Sequence, residues 1–426
     1  MAVSITKRTL AGFRKDIRMN VKCYSKKIEV NDLVSAGVLK RDAEGITKRG
    51  NTFYFNGESK LDCDMITVLR AKPEAFRKDI VQGIDFWHVY NSIPKKANED
   101  INNMNFKAIV GNPPYQIMDG GAKASASPIY QLFVDNSKQL SPSSISMIMP
   151  SKWFAGGKGL DDFRESMRTD KHVKYIKDFV NSKELFPTAS IGGGICYFLW
   201  NSAHNGKCLF TNILAGREST MERSLDEYEV IVRYNEAINI LNAAVPEGTP
   251  TISDIMLSRN PFGQSSNVRG QEISYPGSIE LVTSQGSYYV DKDSITENKD
   301  YIDSWKVSIS KVTCEHAGEP DKNGQVKVLS SLRTFGPNVA CTDSYLIIGK
   351  FKTAKEAENL RSYLATKFAR FLLLLSVSSI NLSKDKFKFV PMQDFSKSWT
   401  DEELYKKYNL NEDEIAYIEQ IIKPVD

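Results

Sequence analysis

The sequence predicts an α/β protein: a mostly parallel sheet in about residues 1–235, an α+β region in about 250–400, and helices in 401–426. Three observations carry this. Short apolar runs alternate with helix-patterned segments between Phe106 and Trp200, the signature of strands joined by crossover helices. After about Arg233 the pattern changes, and residues 250–350 are rich in Ser, Gly, Asn and Thr around short β-like pieces. The chain has 426 residues, 41% hydrophobic and 25% charged, enough apolar material for two or three folded domains and too much for global disorder.

Residues 1–105 carry the weakest patterning. Val21 to Val34 mixes a strand-like stretch with charges. Thr52 to Phe55 reads as a short strand among the glycine turns at Gly45, Gly50 and Gly57, and Lys72 to Tyr90 as a loop and then a helix. Phe106 to Val110 reads as a buried strand running into the turn Gly111-Asn112-Pro113-Pro114. Ile129 to Leu140 has helical spacing, Ile145 to Pro150 is a second buried strand, and Leu160 to Arg168 a helix. Tyr175 to Val180 and Ile195 to Trp200 are further strands, and Ile279 to Val282 and Tyr345 to Ile348 are β-like. Lys355 to Val377 reads as one long amphipathic helix burying Leu360, Tyr363, Leu364, Phe368, Phe371, Leu372 and Leu375. Thr400-Asp401-Glu402-Glu403 is a capping box, and two short helices follow it.

Charge narrows the function only a little. Lys and Arg total 56 against 52 acids, a net +4, so a polyanion partner would need a local basic face. The apolar run Phe371 to Leu375 falls far short of the ~20 residues of a membrane helix. No apolar signal segment opens the chain, where Lys7, Arg8, Arg14 and Lys15 intervene, so a cytoplasmic protein without membrane partners is expected. The 6 cysteines are scattered without Cys-x-x-Cys spacing and the 4 histidines stand at no metal spacing, which predicts reduced thiols and no metal. Asp161, Asp162 and Glu165, like Asp62 and Asp64, read as solvated acids.

The strongest chemical signal is Asn112-Pro113-Pro114-Tyr115 directly after a strand. An isolated Asn-Pro-Pro is also a plain turn. In a parallel α/β sheet, however, ligands bind beyond the carboxyl ends of the strands. Two prolines fix the backbone there and remove two donors. An exocyclic amine at this point would meet two acceptors, the Asn112 side-chain oxygen and the Pro113 carbonyl. Accepting both protons draws the nitrogen toward tetrahedral geometry and frees its lone pair for attack on an electrophilic methyl. Tyr115 offers a flat face for an extruded base.

At these residues the chain resembles the amino-methyltransferases that use S-adenosylmethionine. It is more closely similar to the NPPY-type adenine-N6 DNA methyltransferases of bacterial type II restriction–modification systems. The resemblance runs from about residue 100 to the C-terminus. It includes Ser127-Pro128-Ile129-Tyr130 with Phe133, Met147 to Phe154, Gly192 to Leu199, and Phe387 to Pro391. In residues 310–400, Glu315-His316, Gly318, Asp321-Lys322 and Gly336-Pro337 also look like the family's target-recognition region. The resemblance implies a Rossmann-like methyltransferase sheet followed by an α+β target-recognition domain. It also implies S-adenosylmethionine as cofactor, double-stranded DNA as partner, and Asn112, Pro113, Pro114 and Tyr115 as catalytic residues.

One departure matters. Such enzymes carry a Gly-x-Gly cofactor loop upstream of the catalytic motif, and residues 1–111 hold only isolated glycines. The sheet is therefore expected to be incomplete and the chain to be the C-terminal part of a longer enzyme, with the cofactor motif in a missing N-terminal half or a partner subunit. Asp32, after Ile28 to Val30, is the one cofactor-contacting acid the sequence offers, and it reads equally as a turn residue. Lys311, Arg333, Lys350, Lys386 and Lys388, with Lys352 and Lys384 beside them and Phe335 and Tyr345 interleaved, form a broken basic face for DNA phosphates, or ordinary surface charge. Two other functions fit the sequence: a DNA-binding module without activity, and an amino-methyltransferase acting on RNA or protein.

Overall fold

The computed structural model describes residues 106–117 and 127–424, the latter without 158, 190, 315–319, 322, 378 and 379, together with three strands between 46 and 64. The expectations at Val21 to Val34, Asp32, Lys72 to Tyr90, Glu315-His316, Gly318 and Lys322 lie outside the described residues. The chain divides into two compact units, one of residues 1–113 and 132–147, the other of residues 114–131 and 148–426.

In the first unit, β1 (Ile46–Arg49), β2 (Thr52–Phe55) and β3 (Ser59–Asp64) form an antiparallel sheet, with β2 where the sequence predicts it. Next come β4 (Ala108–Gly111), β5 (Gln116–Ile117), β6 (Ser127–Pro128), helix α1 (Tyr130–Gln139) and β7 (Ser144–Pro150). β4 lies parallel to β7, in register from Ala108 opposite Ser144 to Gly111 opposite Met147. β4 departs from the expected buried strand: Ala108 is exposed and Ile109 to Gly111 are half-buried. β7 is its one ladder partner among the described strands.

The second unit holds β5, β6 and the end of β7, and continues with β8 (Val173–Phe179), β9 (Ile195–Asn201), β10 (Cys208–Leu214) and β11 (Arg217–Arg223). β10 runs parallel to β8, whereas β9 is antiparallel to β8 and β11 to β10. The sheet is thus mixed rather than mostly parallel. The link from β8 to β9 holds only a single turn of 3-10 helix at Ser182–Glu184, so no crossover helix returns the chain to its starting edge. β10 and β11 join through Ala215 and Gly216, both at positive φ (50° and 76°), the two-residue turn whose twist matches a hairpin. Helix α2 (Asp161–Thr169) covers this region with Phe163 and Met167 buried, and the Phe163 ring meets Trp153 edge-on at 5.4 Å.

Helix α3 (Ala237–Ala244) leads into two small sheets. β12 (Ser278–Thr283), β13 (Gly286–Asp291) and β16 (Val339–Cys341) form one. β14 (Trp305–Ser310), β15 (Leu332–Phe335) and β17 (Tyr345–Phe351) form the other. Helices α4 (Ala354–Ala365), α5 (Lys367–Leu374), α6 (Asp401–Lys407) and α7 (Glu412–Ile421) complete the chain.

The expected single helix over 355–377 is two. Thr366 adopts an extended conformation (φ −60°, ψ 152°), and its hydroxyl accepts from the Ala369 N–H, so it stops α4 and caps α5. All seven residues predicted for the buried face are buried nonetheless, because the break leaves the apolar faces of α4 and α5 on the same core. The capping box at Thr400 and Glu403 is present, with matching boxes at Thr353–Glu356 and Asn411–Glu414. One continuous core gathers Ala155, Val180 and Val232 with Ile309, Leu360, Phe371, Phe389 and Ile422. No described helix is long and apolar enough to cross a membrane.

Candidate active site

β4 ends at Gly111, and the motif follows at once. Asn112 and Pro114 are exposed, Pro113 is buried and Tyr115 half-buried. No hydrogen bond to the Asn112 side chain or to the Pro113 carbonyl occurs among the described residues. Both remain available as acceptors.

The backbone beyond Tyr115 is held by a short ladder. Ile129 N–H donates to the Tyr115 carbonyl at 3.3 Å, and β5 pairs antiparallel with β6, Gln116 opposite Pro128. The ring packs against a cluster made by Ile148 of β7, Phe179 of β8, and Ile195 and Tyr197 of β9. Tyr197 stands 6.1 Å from Tyr175 and 6.3 Å from Phe179, ring centre to ring centre. Burial, with the nearby Cys196 thiol, pushes the Tyr115 phenol up to about 12, and burial raises Tyr197 as well. These phenols stay neutral at working pH.

Behind this cluster lies a buried charge network that the sequence did not disclose. The Ser151 hydroxyl donates to Asp178 Oδ1 at 2.6 Å, and Arg233 Nη2 donates to the same oxygen at 3.0 Å and to the Gly193 carbonyl at 2.6 Å. Ser151 N–H also donates to the Gly194 carbonyl at 3.1 Å. The residue after β7, the turn before β9 and the C-terminal end of β8 are thereby tied together. Burial pushes the Asp178 carboxyl up, while Arg233 and Ser151 pull it back down. The signal available in the sequence was one acid, Asp178, inside the apolar run Ile176 to Val180.

Two of the glycines that might admit a cofactor are closed by the chain itself. A Cβ on Gly194 (φ +79°) would meet the Phe179 carbonyl at 2.4 Å and the Arg233 guanidinium at 2.6 Å. At Gly157 (φ +94°) it would strike the Leu160 side chain at 2.4 Å. Gly159 is open but follows a turn and not a strand. None of these three glycines directly follows a described strand, as the cofactor loop implied by the resemblance would require.

The five basic residues singled out from sequence divide. Lys311 and Lys386 line one cavity, joined there by Arg259 and Lys384. Lys386 Nζ donates to the Ala155 carbonyl at 2.7 Å and pairs with Asp385 at 3.3 Å. Arg333 is exposed on β15. Lys350 pairs with Asp300 at 2.6 Å and Lys388 with Glu229 at 2.5 Å. Arg259 was missed, since an isolated arginine in a polar loop carries no pattern.

Comparison with known proteins points one way. The family described as Eco57I restriction-modification methylase matches residues 1–186. A protein of Mycoplasma pneumoniae (strain ATCC 29342 / M129 / Subtype 1), described as an uncharacterized adenine-specific methylase, is 35% identical over 122 residues, or 28% of this chain and 29% of that protein. The matched stretch thus spans less than a third of that relative. Among solved structures, the type IIG restriction endonuclease BpuSI aligns over 76% of this chain and 50% of its own, at 12% identity and a TM-score of 0.31. The type IIL restriction-modification enzyme MmeI, in complex with DNA, aligns over 65% of this chain and 45% of its own, at 9% identity and a TM-score of 0.38. Residues 1–186 are thus similar to a restriction-modification methylase family, and a 122-residue stretch of the chain to an adenine-specific methylase.

Proposed function

We propose that this chain acts in methyl transfer to the N6 amine of adenine in double-stranded DNA, as part of a restriction–modification system. The observation that carries the reading is Asn112-Pro113-Pro114-Tyr115 standing directly beyond the end of β4 with both acceptors unused. The similarity to adenine-specific methylases supports it.

In this reading the Asn112 side-chain oxygen and the Pro113 carbonyl each accept one proton of the exocyclic amine. The nitrogen lone pair is then no longer delocalised into the ring and becomes a nucleophile. Tyr115, its ring braced by Ile148 and Tyr197, stacks on the extruded base and fixes the angle of the amine. The cluster around it keeps water from the face of the base. The methyl donor implied by the resemblance is S-adenosylmethionine.

The test is methyl incorporation by the full chain from labelled S-adenosylmethionine into duplexes with and without adenine. Label on adenine N6 alone is the expected result. Label on cytosine carbon, or equal label in adenine-free duplexes, refutes the assignment.

A further inference from the structure

A cavity of about 400 Å³ opens beside the Gly156-Gly157 turn, between Arg259, Lys311 and the segment 381–386. Backbone ties hold its walls in place. Leu382 N–H donates to the Lys311 carbonyl at 2.7 Å, and Leu257 N–H, two residues before Arg259, donates to Ile347 at 3.0 Å.

Four cations line it, Arg259, Lys311, Lys384 and Lys386, against the two acids Asp161 and Asp385. Both acids are already engaged, Asp161 by Arg164 and Asp385 by Lys386 and the Ser383 hydroxyl. Lys386 is engaged too, through Asp385 and the Ala155 carbonyl. Arg259, Lys311 and Lys384 are left without an ion-pair partner among the described residues. Three like charges around one concavity repel one another and focus a positive field. A single carboxylate would balance only one of them. Successive phosphates would balance them all, with the arginine fork taking two oxygens and the lysines acting as point charges.

We propose that this cavity grips the sugar–phosphate backbone of DNA, through Arg259, Lys311 and Lys384. The inference rests on DNA being the substrate, as read above.

The experiment measures duplex affinity of the full chain against salt concentration. The double variant Arg259→Gln/Lys384→Gln removes two exposed charges and should leave the melting temperature unchanged. Each lost phosphate contact should flatten the slope of log K against log salt by about 0.9. Lys355→Gln/Lys406→Gln, exposed and outside the cavity, makes the same change in net charge and should leave the slope as it is. Equal flattening in both variants, or none in the first, overturns the cavity assignment and spares the DNA reading. A parent chain that fails to bind duplex at all overturns both. Inorganic phosphate saturating the parent but not the first variant, with the DNA slope unmoved, would make the cavity a free-phosphate site and overturn the proposal.

Discussion

Arg233 and Asp178 meet in the interior, the carboxylate fully buried and the guanidinium nearly so. Nη2 of Arg233 donates to Oδ1 at 3.0 Å, and Nε lies 2.6 Å from Oδ2 in a close but poorly aligned contact. A buried pair adds little net stability, because desolvation offsets the attraction, yet breaking it strands a charge. Arg233→Met should therefore cost about 3–5 kcal/mol in urea unfolding. The double variant Asp178→Leu/Arg233→Met should recover most of that loss. If the double variant is as unstable as the single, the two residues are not coupled.

Asn112→Ala should leave thermal stability nearly unchanged, since the side chain is exposed and bonds to no described residue. Methyl transfer to adenine should fall by ~10²–10³, the usual cost of one preorganised group that acts on developing charge. Full activity in this variant would remove Asn112 from the mechanism.

Tyr115→Ala should weaken retention of the flipped base by ~1–3 kcal/mol, the range of base–aromatic stacking. Tyr115→Phe should be mild. Because the phenol is pushed up to about 12, it carries its proton throughout the range below pH 10. The pH–rate curves of the parent and Tyr115→Phe should therefore superimpose over pH 6–10. A new limb in one of them would mean that the hydroxyl titrates in the reaction.

Lys306 is fully buried, its ammonium donating to the Ser304 and Gly336 carbonyls at 3.0 and 3.1 Å. Burial pulls it from 10.5 down to about 8. Between those values the unfolded chain binds the extra proton, so the lysine's unfavourable contribution shrinks as pH rises from about 8 toward 10.5. Relative to Lys306→Met, the parent should gain stability across that window and hold a constant gap below it. Urea midpoints at pH 7, 8.5 and 10 measure this; a gap independent of pH would show that the lysine titrates normally.

Thr366→Ala should cost about 1 kcal/mol, by removing the hydroxyl that caps α5. Ser362→Ala, at a half-buried position within α4 that caps no helix, should cost no more than a few tenths. Equal costs would mean that the break is not held by its cap.

What the sequence disclosed is what depends on near neighbours. β7, α2, β9 and the box at Thr400 follow from local period and caps, and the order of Asn112 to Tyr115 is visible because a turn motif is contiguous. β10 and β11 were passed over because Thr211 and Asn212 are buried polar residues and β11 alternates charges on an exposed hairpin. The direction of β9 depends on its link having no helix, a property of a whole segment. The break at Thr366 hides inside an apolar period that runs on undisturbed past it. Asp178 and Arg233 lie 55 positions apart, and only folding brings them together.

The core that joins Ala155 and Val232 to Phe371, Phe389 and Ile422 bears on where the chain can be cut and rejoined. A cut near Val245 would carry away most of the buried apolar residues of this core and leave Val230 and Val232 facing water. Exchange of the segment beyond that point should yield insoluble chimaeras. A transplant that works has to take its borders outside the small β12-β13-β16 sheet, so that its packing around Phe262, Ile279 and Leu281 stays whole.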